Sequence, residues 1–128
     1  MNKEIFIIDD DQIYRMIAKM MVGHIDSSLF INECENGKIG LDKLESVRNF
    51  DHKIIVLLDI NMPVLDGWGF LEQIEKSNFY NLEQFNIYLV SSSTDEGDKL
   101  KSKSYKFLKG FFCKPLTEED IKTIIGID

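Results

Sequence analysis

The sequence contains few of the residues that mark several common classes of protein. It has two cysteines and two prolines, and its 15 lysines and arginines are outnumbered by 22 aspartates and glutamates. Cys34 and Cys113 lie far apart and match no metal-ligand spacing, so we expect both to be buried, reduced thiols. The formal net charge of −7 argues against a nucleic-acid partner, because nucleic-acid binding favours a basic surface.

Long apolar stretches are also missing. No run approaches the roughly 20 apolar residues that a membrane span needs. The N-terminal stretch MNKEIFIIDDD reaches acidic residues too early for a signal peptide and has no small-residue cleavage site. We therefore expect a cytoplasmic protein that does not bind membranes. Its length predicts one domain, residues 1–128, with no further domain attached.

Strand-like and helix-like patterns alternate along the chain. The run IIVLL is apolar on both faces, which is typical of a central parallel strand covered on both sides. Hydrophobic residues at helical spacing follow each apolar run. The repeated strand–helix order predicts an α/β fold, a five-stranded parallel sheet with helices on both faces. The predicted strands are 4–8, 29–33, 54–58, 87–90 and 110–113.

The predicted helices have recognisable starts. Asp11, Asp66 and Thr117 stand where helix caps are needed. The first helix carries Ile13, Ile17, Met20 and Met21 at helical spacing. The fourth is rich in lysine (Lys99, Lys101, Lys103 and Lys106), which indicates a solvated face or, alternatively, a docking patch for an acidic partner.

Polar side chains follow four of the five predicted strands. Asp9 and Asp10 follow the first, Asp59 the third, Ser91 the fourth and Lys114 the fifth. The carboxyl ends of parallel strands form one edge of the sheet, where ligands bind in such folds. We therefore expect these residues to converge. Carboxylates held close together need a cation, and their oxygens suit Mg²⁺.

This set of residues is suited to phosphoryl transfer. A carboxylate such as Asp59 can attack phosphorus and form an acyl phosphate. The transferred group then needs a metal ion, an ammonium and a hydroxyl around its charged oxygens. Lys114 and Ser91 can supply the ammonium and the hydroxyl.

The chain resembles the receiver domain of two-component response regulators, and in particular a stand-alone, chemotaxis-type member. Four motifs in the family's order carry the resemblance, which covers essentially the whole chain. They are IIDDD (7–11), LLDINMPVLDGW (57–68), LVSSS (89–93) and FFCKP (111–115). The resemblance implies a flavodoxin-like sheet with strand order 2-1-3-4-5.

The resemblance also implies roles for the acidic residues. Asp59 would accept a phosphoryl group from a histidine of a sensor kinase or of a histidine phosphotransfer protein. Asp9, Asp10 and Asp59 would hold Mg²⁺, or Mn²⁺ in its place, together with the backbone carbonyl of Asn61.

The remaining motif residues would sense and shape the site. Ser91 would bond a phosphoryl oxygen and Lys114 would pair with the phosphoryl charge. Pro63 and Pro115 would shape the adjoining loops, and the Lys114–Pro115 peptide is cis in the family. Phe111 would move inward with Ser91, although it lacks the hydroxyl of the tyrosine found in many relatives.

A phosphorylation switch of this kind would alter the surface formed by helix 4, strand 5 and helix 5. A separate effector protein would read that surface, and the receiver itself would be a monomer or a weak dimer and not a turnover enzyme. Two other interpretations stay open. One is a binding module that takes no phosphate, and the other is an aspartyl-nucleophile phosphatase, which Asn61 disfavours because an amide cannot act as an acid or a base.

Overall fold

The computed structural model describes residues 3–46, 52–77, 85–92 and 96–126. Strands and helices alternate along these ranges. The strands are β1 (Lys3–Ile8), β2 (Phe30–Cys34), β3 (Lys53–Asp59), β4 (Phe85–Ser91) and β5 (Leu108–Cys113). The helices are α1 (Gln12–Ile25), α2 (Gly37–Ser46), α3 (Gly67–Lys76), α4 (Glu96–Ser102) and α5 (Glu118–Ile125).

The strands form one parallel sheet in the order β2-β1-β3-β4-β5. This confirms the predicted α/β fold, the parallel sheet and the strand order. Each predicted strand is present, with ends that differ by one or two residues. One difference bears on the predicted site: β3 extends to Asp59 itself, so the carboxylate of the predicted phosphoacceptor belongs to the last residue of a central strand.

Two apolar layers cover the sheet. Alternate side chains of β3 face opposite ways: Val56 belongs to one buried cluster and Leu57 to the other. Helices α2 and α3 contribute to the first cluster, and α1 and α5 contribute to the second. The two-sided apolar character of IIVLL is therefore explained by burial on both faces.

The helix starts behave as their sequences predict. The side chain of Asp11 accepts hydrogen bonds from the backbone N–H groups of Ile13 and Tyr14. Asp66 accepts one from Gly69, and Thr117 forms a reciprocal capping box. These caps fix where α1, α3 and α5 begin, and each start lies close to a loop that carries a predicted site residue.

The large apolar residues that recur at helical spacing in α1 do not form its buried face. Ile13 and Met20 are 65% and 67% exposed, whereas the fully buried positions of this helix are Ala18 and Val22. Small side chains allow α1 to lie close to the sheet and to α5, and the larger residues are left outside. An exposed apolar stripe results, consisting of Ile13, Met16, Ile17 and Met20.

Two further expectations need correction. Cys34 is buried, but Cys113 is exposed, because it ends an edge strand that pairs only with β4. Helix α4 ends at Ser102, so Lys103 and Lys106 lie in the turns that follow it. Within the described ranges, no helix combines the length and the apolarity needed to cross a membrane.

The loop after β3 contains a strained turn. Val64 has a φ of 76°, and the backbone N–H of Leu65 donates to the carbonyl oxygen of Pro63 across it at 3.0 Å. A three-residue turn with positive φ is rare, and a β-branched residue there is an outlier. Val64 is also exposed, so burial of its side chain does not offset this strain.

Replacing Val64 by glycine should stabilise the protein. Relief of the left-handed backbone is worth roughly 1–2 kcal/mol, and the added freedom of glycine costs roughly 0.5–1 kcal/mol. We expect the free energy of unfolding in urea to rise by about 0.5–1 kcal/mol. Val64→Thr, which keeps the branched Cβ, is the matched control and should show no gain; equal stabilities of all three proteins would contradict the strain.

Candidate functional site

The acidic residues converge because of the pairing between β1 and β3. Ile8 lies opposite Leu58 in this parallel ladder, so the next residue of each segment, Asp9 and Asp59, emerges at the same point of the sheet edge. Asp10 follows at once. One carboxylate oxygen from each of the three lies within 4.8 Å of the others. The predicted convergence is therefore present in the fold.

Asp9 is the most constrained member of this cluster. It is buried, and its Oδ1 atom accepts a hydrogen bond from the Asp11 N–H at 2.9 Å. Its backbone is held by β2, through the carbonyl oxygen of Cys34, and by the guanidinium of Arg15, which donates to the Asp9 carbonyl at 2.6 Å. Asp10, in contrast, is exposed. The Asp9 carboxylate is therefore fixed in place, whereas the Asp10 carboxylate is accessible to solvent.

Lys114 brings positive charge to the same place. Its Nζ atom lies 2.6 Å from Asp9 Oδ2 and 3.5 Å from Asp59 Oδ1. The backbone N–H of Lys114 donates to the carbonyl oxygen of Ser91 at 2.9 Å, which fastens the start of this loop to the end of β4. The Lys114–Pro115 peptide is cis, as the resemblance implied.

Burial makes Asp59 an unusual carboxylate. Its pKa is raised to about 6, first because burial penalises the charged form and next because Asp9 carries a like charge. The ammonium of Lys114 acts in the opposite direction but does not cancel these effects. The pocket therefore disfavours the charged form of Asp59 despite the nearby lysine.

The donor set fits a hard divalent cation. Three carboxylates at this spacing offer the oxygen ligands that Mg²⁺ prefers, and Asp10 lies at the open side of the cluster, where retained water can complete the shell. Asn61, whose carbonyl was predicted to contribute, lies in the exposed loop two residues after Asp59. A cation here would relieve the repulsion that raises the pKa of Asp59.

The two predicted switch residues, Ser91 and Phe111, lie on the two strands beyond Asp59. Ser91 is fully buried at the end of β4, where its neighbour Val90 pairs with Asp59. Phe111 pairs with Leu89 and is partly buried against the core. Ser93, the last residue of the LVSSS motif, lies outside the described residues.

The start of α3 packs directly against the backbone of Asp59 and Ile60. The backbone N–H of Gly67 donates to the carbonyl oxygen of Ile60 at 2.8 Å. A Cβ at position 67 would lie 2.6 Å from the carbonyl oxygen of Asp59, so only glycine allows this approach. This hydrogen bond joins the two ends of the loop that contains Pro63 and connects β3 to α3.

Two side chains that contact the site were not predicted from the sequence, Arg15, described above, and Tyr14. Tyr14 lies in the first turn of α1, and its ring centroid is 4.2 Å from Lys114 Nζ. Its position three residues after the Asp11 cap places it on the helix face nearest to the sheet edge. A capped helix that starts directly after the two acidic residues was the only available signal.

The fold and this cluster define a doubly wound α/β protein with a carboxylate–lysine pocket at the carboxyl ends of its strands. The family model of the response regulator receiver domain matches residues 5–126. The chain therefore belongs to the family of response regulator receiver domains, as the motifs indicated. It is a receiver domain of two-component signalling.

Individual relatives agree with this assignment. The chain is 30% identical, over 73% of its length, to a protein-glutamate methylesterase/protein-glutamine glutaminase of Methanosarcina acetivorans, and it is 30% identical, over 98% of its length, to hybrid signal transduction histidine kinase A of Dictyostelium discoideum. It spans only 24% and 6% of those two proteins. A two-component response regulator from Cytophaga hutchinsonii shares the fold, with a TM-score of 0.87 at 22% identity over 98% of this chain and 95% of that one.

The raised pKa of Asp59 predicts an unusual pH dependence of stability in the absence of metal. The folded protein keeps a proton on Asp59 up to a pKa of about 6, whereas the unfolded chain releases it near pH 4. The contribution of Asp59 to the free energy of unfolding is therefore lost as the pH rises from about 4 to about 6. Asp59→Asn has no such group, so its stability relative to wild type should increase by roughly 3 kcal/mol between pH 4 and pH 7.

Urea unfolding in a chelator at several pH values measures this difference. Asp42→Asn, which changes an exposed carboxylate on α2, is the control and should run parallel to wild type. If the stability difference between wild type and Asp59→Asn stays constant across the range, Asp59 titrates normally and the prediction is wrong.

Proposed function

We propose that this receiver domain is a phosphorylation switch in which Asp59 accepts a phosphoryl group from the phosphohistidine of a sensor kinase or of a histidine phosphotransfer protein. The observation that carries the proposal is the buried Asp59 carboxylate, held between two other carboxylates and the ammonium of Lys114. A purely structural aspartate has no need of this arrangement. It suits a nucleophile that must receive a highly charged group.

The transfer is a displacement at phosphorus. A carboxylate oxygen of Asp59 forms the new O–P bond while the N–P bond to the donor histidine breaks, and the histidine leaves with the electron pair. A bound Mg²⁺ would neutralise charge on the phosphoryl oxygens, held by Asp9, Asp10, Asp59 and the carbonyl of Asn61; Mn²⁺ could replace it.

The protein's own groups complete the environment of the phosphoryl group. Lys114 would move from its contact with Asp9 to a phosphoryl oxygen, and Ser91 would donate a hydrogen bond to another. Pro63 and Pro115 would keep the two flanking loops in shape. Hydrolysis by water would later restore the carboxylate, so the domain acts on itself and does not turn over an external substrate.

The exposed apolar stripe of α1 supports docking of the phosphodonor beside this site. Its members Ile13 and Ile17 are 65% and 49% exposed, and the stripe begins two residues after the Asp11 cap. Contiguous exposed apolar residues of this kind mark interaction surfaces. A helix of the donor protein lying on the stripe would bring its phosphohistidine to Asp59.

A basic groove supports the proposed output surface. It measures about 410 Å³ between α4 and β5, and its lining includes Lys99, Lys103, Lys106 and Lys109, with Phe111 in its wall. An acidic segment of a separate effector protein would complement this charge. Because Phe111 is part of the groove, its inward movement with Ser91 would change the shape that the effector meets.

We further propose that residues 1–128 act as a single cytoplasmic receiver domain, as a monomer or a weak dimer. The family match over 5–126 supports a single domain in this range. Neither nucleic acid nor membrane is a partner in this proposal, and the net charge of −7 agrees with that.

Incubation with Mg²⁺ and acetyl phosphate should add one phosphoryl group, detectable as a mass increase of the intact protein. Asp59→Asn and chelator-treated samples should gain none, because the nucleophile or the cation is missing. Asp42→Asn is a matched control that should be modified like wild type. No gain in a folded, Mg²⁺-loaded wild-type sample would instead favour a binding module that takes no phosphate.

Phosphorylation should also alter the groove. Backbone amide NMR signals of Leu108, Gly110 and Phe111 should shift when acetyl phosphate is added to the Mg²⁺-loaded protein, whereas those of Ile31 and Asn32 on the far edge strand should not. The Asp59→Asn protein should show no such shifts. Shifts confined to the residues around Asp59 would contradict transmission to the groove.

A further inference from the structure

Tyr14 is part of the acceptor pocket although no chemical role is expected for a tyrosine there. Its backbone N–H is fixed by the Asp11 cap at 3.2 Å, and its side chain packs on the apolar cluster between α1, α5 and the sheet. The helix cap therefore fixes the backbone of Tyr14, and the apolar cluster restricts its ring. Its face lies 4.2 Å from the ammonium of Lys114.

The ring completes the surroundings of this ammonium. Asp9 lies at 2.6 Å, Asp59 at 3.5 Å and the ring of Tyr14 on a further side. Lysine has a long flexible stem, and the shorter contact draws its charge toward Asp9. A cation over an aromatic face is attracted by the ring quadrupole, most strongly where water is excluded. The ring face is therefore a further attractive contact for the ammonium within the pocket.

The hydroxyl of Tyr14, unlike its ring, makes no polar contact with the described residues. It is buried and makes no hydrogen bond there. Burial raises its pKa, and the negative charges of Asp9 and Asp59 raise it further, so the hydroxyl keeps its proton and the ring stays neutral. A buried hydroxyl without a partner is a cost. The useful part of this side chain is therefore the ring.

We infer that Tyr14 is a positioning residue for Lys114, and that its ring face keeps the ammonium beside Asp59, where an incoming phosphoryl group needs a cation. The inference rests on the proposed function, because it assigns Lys114 to the phosphoryl group. Tyr14 acts only through the lysine and touches no reacting atom.

Substitutions at position 14 separate the ring from the hydroxyl. With Mg²⁺ and acetyl phosphate, Tyr14→Leu should slow phosphorylation of Asp59 by roughly five- to tenfold. Tyr14→Phe keeps the ring and should stay within about twofold of wild type. Tyr88→Leu is the matched control, because Tyr88 packs on the same apolar cluster but its ring contacts Phe112, and it should leave the rate unchanged. A wild-type rate for Tyr14→Leu, or equal losses for Tyr14→Phe and Tyr14→Leu, would overturn the inference.

A double-mutant cycle tells positioning from a general loss of structure. In a Lys114→Met background the ammonium is absent, so adding Tyr14→Leu should leave the remaining rate unchanged. A further loss of roughly five- to tenfold in that background would mean that Tyr14 acts independently of the lysine, and would overturn the inference.

An NMR measurement tests the contact without phosphorylation. The ε-methylene protons of Lys114 should be shifted upfield by the Tyr14 ring in wild type and in Tyr14→Phe, and should return to ordinary values in Tyr14→Leu. If wild type takes up no phosphoryl group, the proposed function fails on its own, and the role in phosphoryl transfer fails with it. If the upfield shift is absent, the inference fails even where phosphorylation succeeds.

Discussion

The site depends on the parallel pairing of β1 with β3. This register places Asp9 and Asp59 side by side at the sheet edge and buries both, so like charges meet where water can screen them least. The arrangement of the other groups of the pocket reduces this repulsion between the two carboxylates. Lys114 shares its ammonium between the two carboxylates, Asp10 stays at the open side, and the remaining imbalance creates a place for a divalent cation.

The surrounding elements hold this cluster in place by short backbone contacts. Gly67 lets α3 begin against the acceptor, and Ser91 holds the start of the Lys114 loop. The Asp59 carboxylate consequently lies at the end of a central strand. Ser91 and Phe111, which are proposed to follow the phosphoryl group, lie on β4 beside it and on β5 beyond. In the proposed switch, a change at Asp59 would reach the lysine-lined groove across two strand spacings, through β4 and β5.

Much of the fold and most of the candidate site could be predicted, because both follow from short-range patterns. Two-sided apolar runs specify buried parallel strands, and polar residues at their ends must then meet, as Asp9, Asp59 and Lys114 do. The misses have a common origin in tertiary packing. The exposure of Ile13 depends on how closely α1 approaches α5, that of Cys113 on its place in an edge strand, and the contact of Tyr14 on a lysine from the far end of the chain.

The single ammonium shared by Asp9 and Asp59 links two equilibria. In the proposed switch, Lys114 would turn toward a phosphoryl group, and Asp9 would lose a counter-charge 2.6 Å away, so that its carboxylate would gain more from a metal ion. By thermodynamic reciprocity, a metal ion at Asp9 would in turn weaken the contact that holds the lysine there. Cation and phosphoryl group would then strengthen each other's binding through one mobile side chain.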